Sequence, residues 1–183
     1  MPRFIAPFAG DPRQAFPEIF LVNDRMNQLI IENLDSRAWR AKPPGRSVRT
    51  IAAIFAHVHN IRRKWLRLSA PHLKLPAPLD PAGCMQRQAR SAFAQSARCC
   101  AQMLAESFTG PESRVRQFRR DGWARPWPAG PAMLAYMLAH EAHHRGQVCL
   151  LVHQLGFPLP VKTAYGMWVW EKLRKECGFT PPR

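Results

Sequence analysis

The sequence predicts an all-α protein, a four-helix bundle followed by a short extra C-terminal helix. Apolar residues recur every three or four positions in four long stretches, which is the period of a helix with one buried face. Segments rich in Gly and Pro separate these stretches, and both residues interrupt regular structure. No run has the strict alternation of a β-strand. Four long amphipathic helices in one chain are typical of a helical bundle.

The first two helices follow a lead-in over residues 1–16 that contains several prolines. Apolar spacing predicts the first helix over Glu18–Leu34. Prolines and a glycine at positions 43–45 then break the chain. Ser47 is a suitable N-cap for a second helix, which we extend to Leu68. His57 lies in the middle of the apolar stripe of this helix.

Proline and glycine also delimit the later elements. These are a third helix over Met85–Phe108, a long connection over Thr109–Gly130, a fourth helix over Pro131–Leu155 and a short helix over Tyr165–Cys177. Pro131 suits a first helical turn, and Gly156 suits a helix stop. We therefore divide the chain into the lead-in (1–16), the bundle (17–160) and a C-terminal helix and tail (161–183).

The composition indicates a single domain in a reducing compartment. The 183 residues are enough to bury a core without disulfides. No apolar run is long enough to span a membrane, and residues 1–20 lack the pattern of a secretory signal. The five cysteines are odd in number and contain no CxxC pair. We interpret them as reduced thiols and expect a cytoplasmic location.

The net charge of +15 raises the question of a nucleic-acid partner. The basic residues are spread over the predicted helices and loops, and no nucleic-acid-binding motif accompanies them. Charge alone gives nonspecific attraction. We therefore interpret the arginines, Arg62 and Arg63 included, as a solvated helical surface, and do not expect nucleic acid to be the partner.

Three histidines form the one pattern that predicts chemistry. His140 and His144 are four residues apart in the fourth helix, so they share one face. His57 faces the core of the second helix, whereas His59 falls on the opposite side and is expected to face solvent. All three lie near the middle of their helices. We prefer one divalent metal ion bound by His57, His140 and His144 to three separate core histidines, because buried imidazoles need partners.

The residues around this pair leave alternatives open. The segment from His140 to His144 matches the HExxH pattern of zinc peptidases, with Glu141 as the base, but we find no substrate-binding strand and expect Glu141 at a surface or interface. His143 is a spare ligand or a neighbour of the ligands. Gln147 contacts either a ligand or another helix. Gly146 suggests a close helix crossing.

Two segments resemble the DinB/YfiT-like metalloenzyme superfamily. One is Phe55-Ala56-His57-Val58-His59-Asn60, and the more specific one is Ala139–Gln147, with the sequence AHEAHHRGQ. The resemblance implies an up-down-down-up bundle, often dimeric, with a divalent metal, typically zinc or nickel, on His57, His140 and His144. Characterised members include transferases that use low-molecular-weight thiols and a maleylpyruvate isomerase.

The expected function is a metal-dependent reaction on a small molecule, with thiol-dependent transfer or isomerisation implied by the resemblance. A His₃ site leaves coordination positions open, as in catalytic metal sites. The alternative is a non-catalytic metal-binding stress-response protein. No catalytic side chain is assigned, and the connection over Thr109–Gly130 is a candidate lid. A second apolar flank of the fourth helix, which includes Leu138, Ala142, Cys149 and Val152, predicts a homodimer.

Overall fold

The computed structural model describes residues 11–43, 45, 48–108, 112–122 and 125–179. Seven helices and one pair of short strands lie in these ranges: α1 (Pro12–Asn33), α2 (Ser36–Trp39), α3 (Ile51–Ser69), α4 (Gln86–Glu106), β1 (Gln117–Phe118), β2 (Trp127–Pro128), α5 (Pro131–Gln154), α6 (Val161–Gly166) and α7 (Trp170–Glu176). The all-α fold class is confirmed. The predicted N-cap Ser47, most of the lead-in and Thr109 lie outside the described residues.

The helix termini follow local chemistry. α1 begins at Pro12, earlier than predicted, because Asp11 accepts a hydrogen bond from the Arg13 amide and Pro12 occupies the first turn. Pro17 lies inside this helix. Thr50, not Ser47 as predicted, caps α3 through the amide of Ala53 at 3.1 Å, so this helix begins at Ile51. The predicted bounds of the third and fourth helices agree with α4 and α5 within two residues.

Two further predictions about the elements are wrong. The C-terminal helix is split into α6 and α7 at residues 167–169. The connection before α5 contains an antiparallel pair in which Gln117 lies opposite Pro128 and Phe118 lies opposite Trp127. Strands of two residues are too short to produce a visible alternation. The division of the chain at residues 17 and 161 stays a prediction.

The four long helices contact one another in the cyclic order α1, α4, α3, α5 and back to α1. One apolar cluster joins the C-terminal ends of α1 and α5 to the N-terminal ends of α3 and α4, around Ile31, Phe55 and Val148. A second cluster joins the opposite ends around Phe20, Trp65 and Met133. With a smaller cluster of Val22, Met26 and Leu173 they form the core. On α5, His140 and His144 lie between the residues of the first two clusters, whereas on α3 His57 lies among those of the first.

Candidate metal centre

His57, His140 and His144 converge. One ring nitrogen from each lies within 4.8 Å of those of the other two. The ring centroids of His140 and His144 are 4.6 Å apart, and the His57 ring is 4.7 Å from that of His144 and 5.5 Å from that of His140. α3 and α5 pack against each other, and the i, i+4 spacing on α5 sets both of its imidazoles toward α3. The three rings therefore meet as predicted.

All three imidazoles are neutral at neutral pH. Burial, helped by the charge of Arg49 and by His144, lowers the pKa of His57 to about 4. Burial and the two neighbouring histidines lower the pKa of His140 to about 3. Burial lowers the pKa of His144 too, although its hydrogen bond to Gln147 opposes the shift. A neutral imidazole keeps the lone pair that a metal ion needs.

Gln147 sets the orientation of His144. Its Oε1 lies 2.7 Å from His144 Nδ1, and its Nε2 lies 3.1 Å from His143 Nε2. A carbonyl oxygen can only accept, so Nδ1 of His144 carries the proton and Nε2 keeps the lone pair. Gln147 is thus a neighbour of a candidate ligand. His143 is exposed and does not belong to the converging group.

The environment of the His140 ring indicates whether these residues suit a metal ion. Its Nδ1 is buried and has no hydrogen-bond partner among the described residues. An imidazole nitrogen without a partner is unfavourable in a buried environment. Three neutral nitrogen donors with an orphaned nitrogen among them fit a divalent transition metal.

The prediction for His59 is wrong. This side chain is fully buried, and its Nε2 donates to the carbonyl of Ala77 at 2.8 Å while its Nδ1 lies 3.1 Å from Ser96 Oγ. α3 packs against α4 on one flank and α5 on another, so the face opposite His57 is also buried. A helical wheel identifies one buried stripe but not a second.

The predictions for Glu141 and Arg62 are also wrong. Glu141 is 1% exposed and Arg62 is fully buried. The guanidinium donates to both oxygens of Glu141, each at 2.7 Å, and a third bond of 2.7 Å reaches Asp24. The ring of Phe93 lies 4.6 Å from the guanidinium carbon. A bidentate pair of this kind is a strong geometry for a buried arginine.

Two asparagines of α1 extend this ionic cluster. Asn23 and Asn27 donate to Glu141 at 2.7 and 2.9 Å, and their carbonyl oxygens accept from Arg145 at 2.9 and 3.1 Å. Two arginines thus face two carboxylates across α1, α3 and α5. The sequence does contain a signal for this cluster. Polar residues at positions 23, 24, 27 and 28 interrupt the apolar pattern of the first helix. The helix period puts these four residues on one face.

This geometry removes the base that a zinc peptidase would need. Both oxygens of Glu141 are occupied by Arg62 and the asparagines, and the side chain is sealed from solvent. A general base must reach the water or substrate from which it takes a proton. The match to HExxH therefore reflects two separate functions of neighbouring residues on α5.

Two residues of the fourth helix, Val152 and Gly146, are placed differently from what we expected. Val152 lies in the core rather than on an open flank. An added Cβ at Gly146 would meet no atom within 4 Å, so the predicted close helix crossing there is wrong. Arg145 joins the ionic cluster, whereas Cys149 lies in a cleft beside Trp168 and away from the histidines.

Part of the candidate lid packs onto the core. Phe118 is fully buried, and its ring lies 6.1 Å from that of Trp65. Trp65 in turn lies 5.3 Å from the His140 ring. Arg120, in the same connection, contributes to the lowered pKa of His140. The described residues of this connection therefore border the flank of the site formed by Trp65 and His140.

Among the described residues, no helix has both the length and the apolar character needed to cross a membrane.

Comparison with known proteins relates the chain to a protein family, although no curated protein matches it. The sequence model of the DinB family matches residues 13–172, which include all three converging histidines. The chain therefore belongs to the DinB family.

Proposed function

We propose that the protein is a divalent-metal-dependent enzyme that acts on a small molecule through a His₃ centre formed by His57, His140 and His144. The observation that carries the proposal is the convergence of three neutral imidazoles within 4.8 Å. Three protein ligands leave at least one coordination position for water or substrate. Because the three ligands are neutral, the net charge of the site would equal that of the ion. This net positive charge favours an anionic ligand such as a thiolate or hydroxide.

The chemistry we propose is thiol-dependent transfer or isomerisation, which membership of the DinB family suggests. A bound ion would act as a Lewis acid that polarises a carbonyl or stabilises a thiolate. The chain's own residues have defined tasks. Gln147 holds His144 with Nε2 free, and the ionic cluster fixes α5 relative to α1 and α3.

We propose a bundle with up-down-down-up topology, zinc or nickel as the metal, a homodimer and a cytoplasmic location. The two core clusters support the topology, because each unites matching ends of α1 and α5 with opposite ends of α3 and α4. Free cysteines support the reducing compartment.

The alternative is a non-catalytic metal-binding protein of the stress response. One observation favours it: the carboxylate nearest to the ligands in sequence, Glu141, is held by Arg62 and is not available as a base. The fourth coordination position distinguishes the two proposals, since a site for catalysis must exchange its ligand.

Cobalt substitution tests the catalytic proposal. Co²⁺ is loaded into tag-free protein, and azide and a small thiol are titrated while the visible spectrum is recorded. We expect both to shift the d–d bands, and we expect the metal-free protein to remain folded by circular dichroism. A spectrum that neither reagent changes, together with unfolding on metal removal, would assign the ion a structural role.

A further inference from the structure

A cleft of about 420 Å³ opens at Gln147, at the junction of the N-terminal part of α3 and the C-terminal part of α5. It is lined by Val48, Arg49, Ile54, Gln147, Leu150 and Leu151, with one further glutamine. Gln147 is the residue that bonds His144 Nδ1. Ile54 is one helical turn before His57, and Leu151 is two turns after His144. The cleft therefore continues the helix faces that carry the histidines.

Arg49 is the charged residue of this cleft. Within the described part of the chain, no carboxylate pairs with it, in contrast to Arg25, Arg37 and Arg62, each of which binds an Asp or Glu. The lining of the cleft contains no acidic side chain. The charge of Arg49 is close enough to act on both His57 and His144. A positive charge therefore lies in the cleft and within electrostatic reach of two of the three histidines.

Apart from Arg49 and the two glutamines, the lining of the cleft is aliphatic. Val48 and Leu150 are exposed at 44% and 60%, although both are aliphatic. Ile54 and Leu151 form the buried side of the cleft. Apolar walls with a small number of polar groups are typical of small-molecule sites. A guanidinium recognises a carboxylate through paired N–H donors.

We propose that this cleft is the substrate cleft of the histidine site and that it takes a small carboxylate with an aliphatic body. The carboxylate binds Arg49, and the aliphatic part lies on Val48, Ile54 and Leu150. The other end of the molecule then reaches Gln147 and the histidines. The assignment of the cleft to the substrate rests on the proposed function. The class of ligand rests only on Arg49 and the aliphatic lining.

Binding of hexanoate tests the proposal. Isothermal titration is carried out on metal-free and zinc-loaded protein, with hexanamide as the neutral analogue. Loss of a charge-assisted contact predicts affinity about tenfold lower for Arg49→Gln than for wild type. We expect hexanamide to be similarly weak. Arg87→Gln, an exposed arginine on α4, is the matched control and should bind hexanoate as wild type does.

Two results would overturn the proposal. One is equal hexanoate affinity for Arg49→Gln and wild type, and the other is equal affinity of wild type for hexanoate and hexanamide. A third result would also overturn the proposal: hexanoate binds zinc-loaded Arg49→Gln with wild-type affinity and does not bind metal-free wild type. In that case the carboxylate coordinates the ion and does not contact Arg49. Zinc content is measured on the same samples. If wild type binds no zinc, the proposed function and the substrate assignment fail, and the metal-free titrations still decide the ligand class.

Discussion

Adjacent residues of α5 have opposite environments. The His140 ring faces His57 and His144, and its Nδ1 has no hydrogen-bond partner among the described residues. Glu141, in contrast, is bound on both oxygens by Arg62. About 100° separates successive residues on a helix, so one helix can supply a metal site on one side and a buried ion pair on another. The ion pair fixes the helix on which the ligands lie.

Replacing Arg62 should destabilise the fold strongly. In Arg62→Met, Glu141 and Asp24 remain buried without their shared cation, and losing one partner of a buried pair costs about 3–5 kcal/mol. Urea denaturation of metal-free protein measures this change. Arg98→Met, at an exposed position of α4, should change the free energy of unfolding by less than about 0.5 kcal/mol. Equal effects of the two variants would contradict the description of the ionic cluster.

Acid should destabilise the metal-free protein. The folded pKa values of His57 and His140 are about 4 and about 3, below the value of about 6.5 for an unfolded chain. As pH falls from about 6.5 to 4, the unfolded state binds more protons than the folded state, so the free energy of unfolding decreases. We expect this slope to be smaller in His57→Leu. Identical slopes in chemical denaturation between pH 4 and 6.5 would contradict the lowered pKa values.

The histidine triad could be predicted from sequence because it depends only on helix period and on matching heights in two helices. His59, Arg62 and Glu141 were misassigned for a different reason. A polar residue is normally exposed, and these three are buried by partners far away in sequence, such as Ser96 and Asp24. Pairings of this kind depend on which helices become neighbours. The polar positions on the first helix show that a buried polar cluster exists, but the helix period alone does not identify its partners on the other helices.

At the level of whole elements, α5 is the helix on which the account depends. Its termini could be predicted because Pro131 occupies its first turn and Gly156 follows with φ +77°, a left-handed conformation that glycine adopts readily. α1 begins before the predicted start at Glu18, because Pro12 is accommodated in its first turn and Pro17 inside the helix. The predicted helix over Tyr165–Cys177 runs across the break at residues 167–169, and Gly166 is instead the last residue of α6.

Gly146 offers a stabilising substitution in α5. A methyl group there meets no atom within 4 Å, and alanine is favoured over glycine inside a helix by about 0.5–1 kcal/mol. Gly146→Ala should therefore raise the melting temperature without changing metal content. Gly156→Ala is the matched control and should lower it, because φ there is +77°. A lower melting temperature for Gly146→Ala would contradict the open space around Gly146.

On the surface of the molecule, apolar side chains are exposed where α5 lies next to the C-terminal helices. A cleft between α5 and the C-terminal helices is lined by Leu138, Ala142, Cys149 and Trp168 among others, and Trp168 is 81% exposed. Exposed apolar patches of this kind often mark contact surfaces. The chain as a whole is strongly basic, with a net charge of +15.

A homodimer through this surface is the expected assembly. Light scattering should give about twice the chain mass of 20.9 kDa. Trp168→Ala should shift the population toward monomer, since aromatic anchors carry much of the energy of an interface. Tyr165→Ala, which removes an exposed aromatic outside the cleft lining, is the comparison variant. A monomer mass for wild type at every concentration would rule out the dimer.

The central claim is that His57, His140 and His144 bind one divalent ion. Metal content per chain, measured by mass spectrometry on protein purified without a histidine tag, tests it most directly. We expect about one ion per chain in wild type and a strong loss in His144→Ala. His153→Ala, an exposed histidine of the same helix, and the buried variant His59→Ala should keep the ion, the latter at reduced stability. Full metal content in His144→Ala, or none in wild type, would contradict the account.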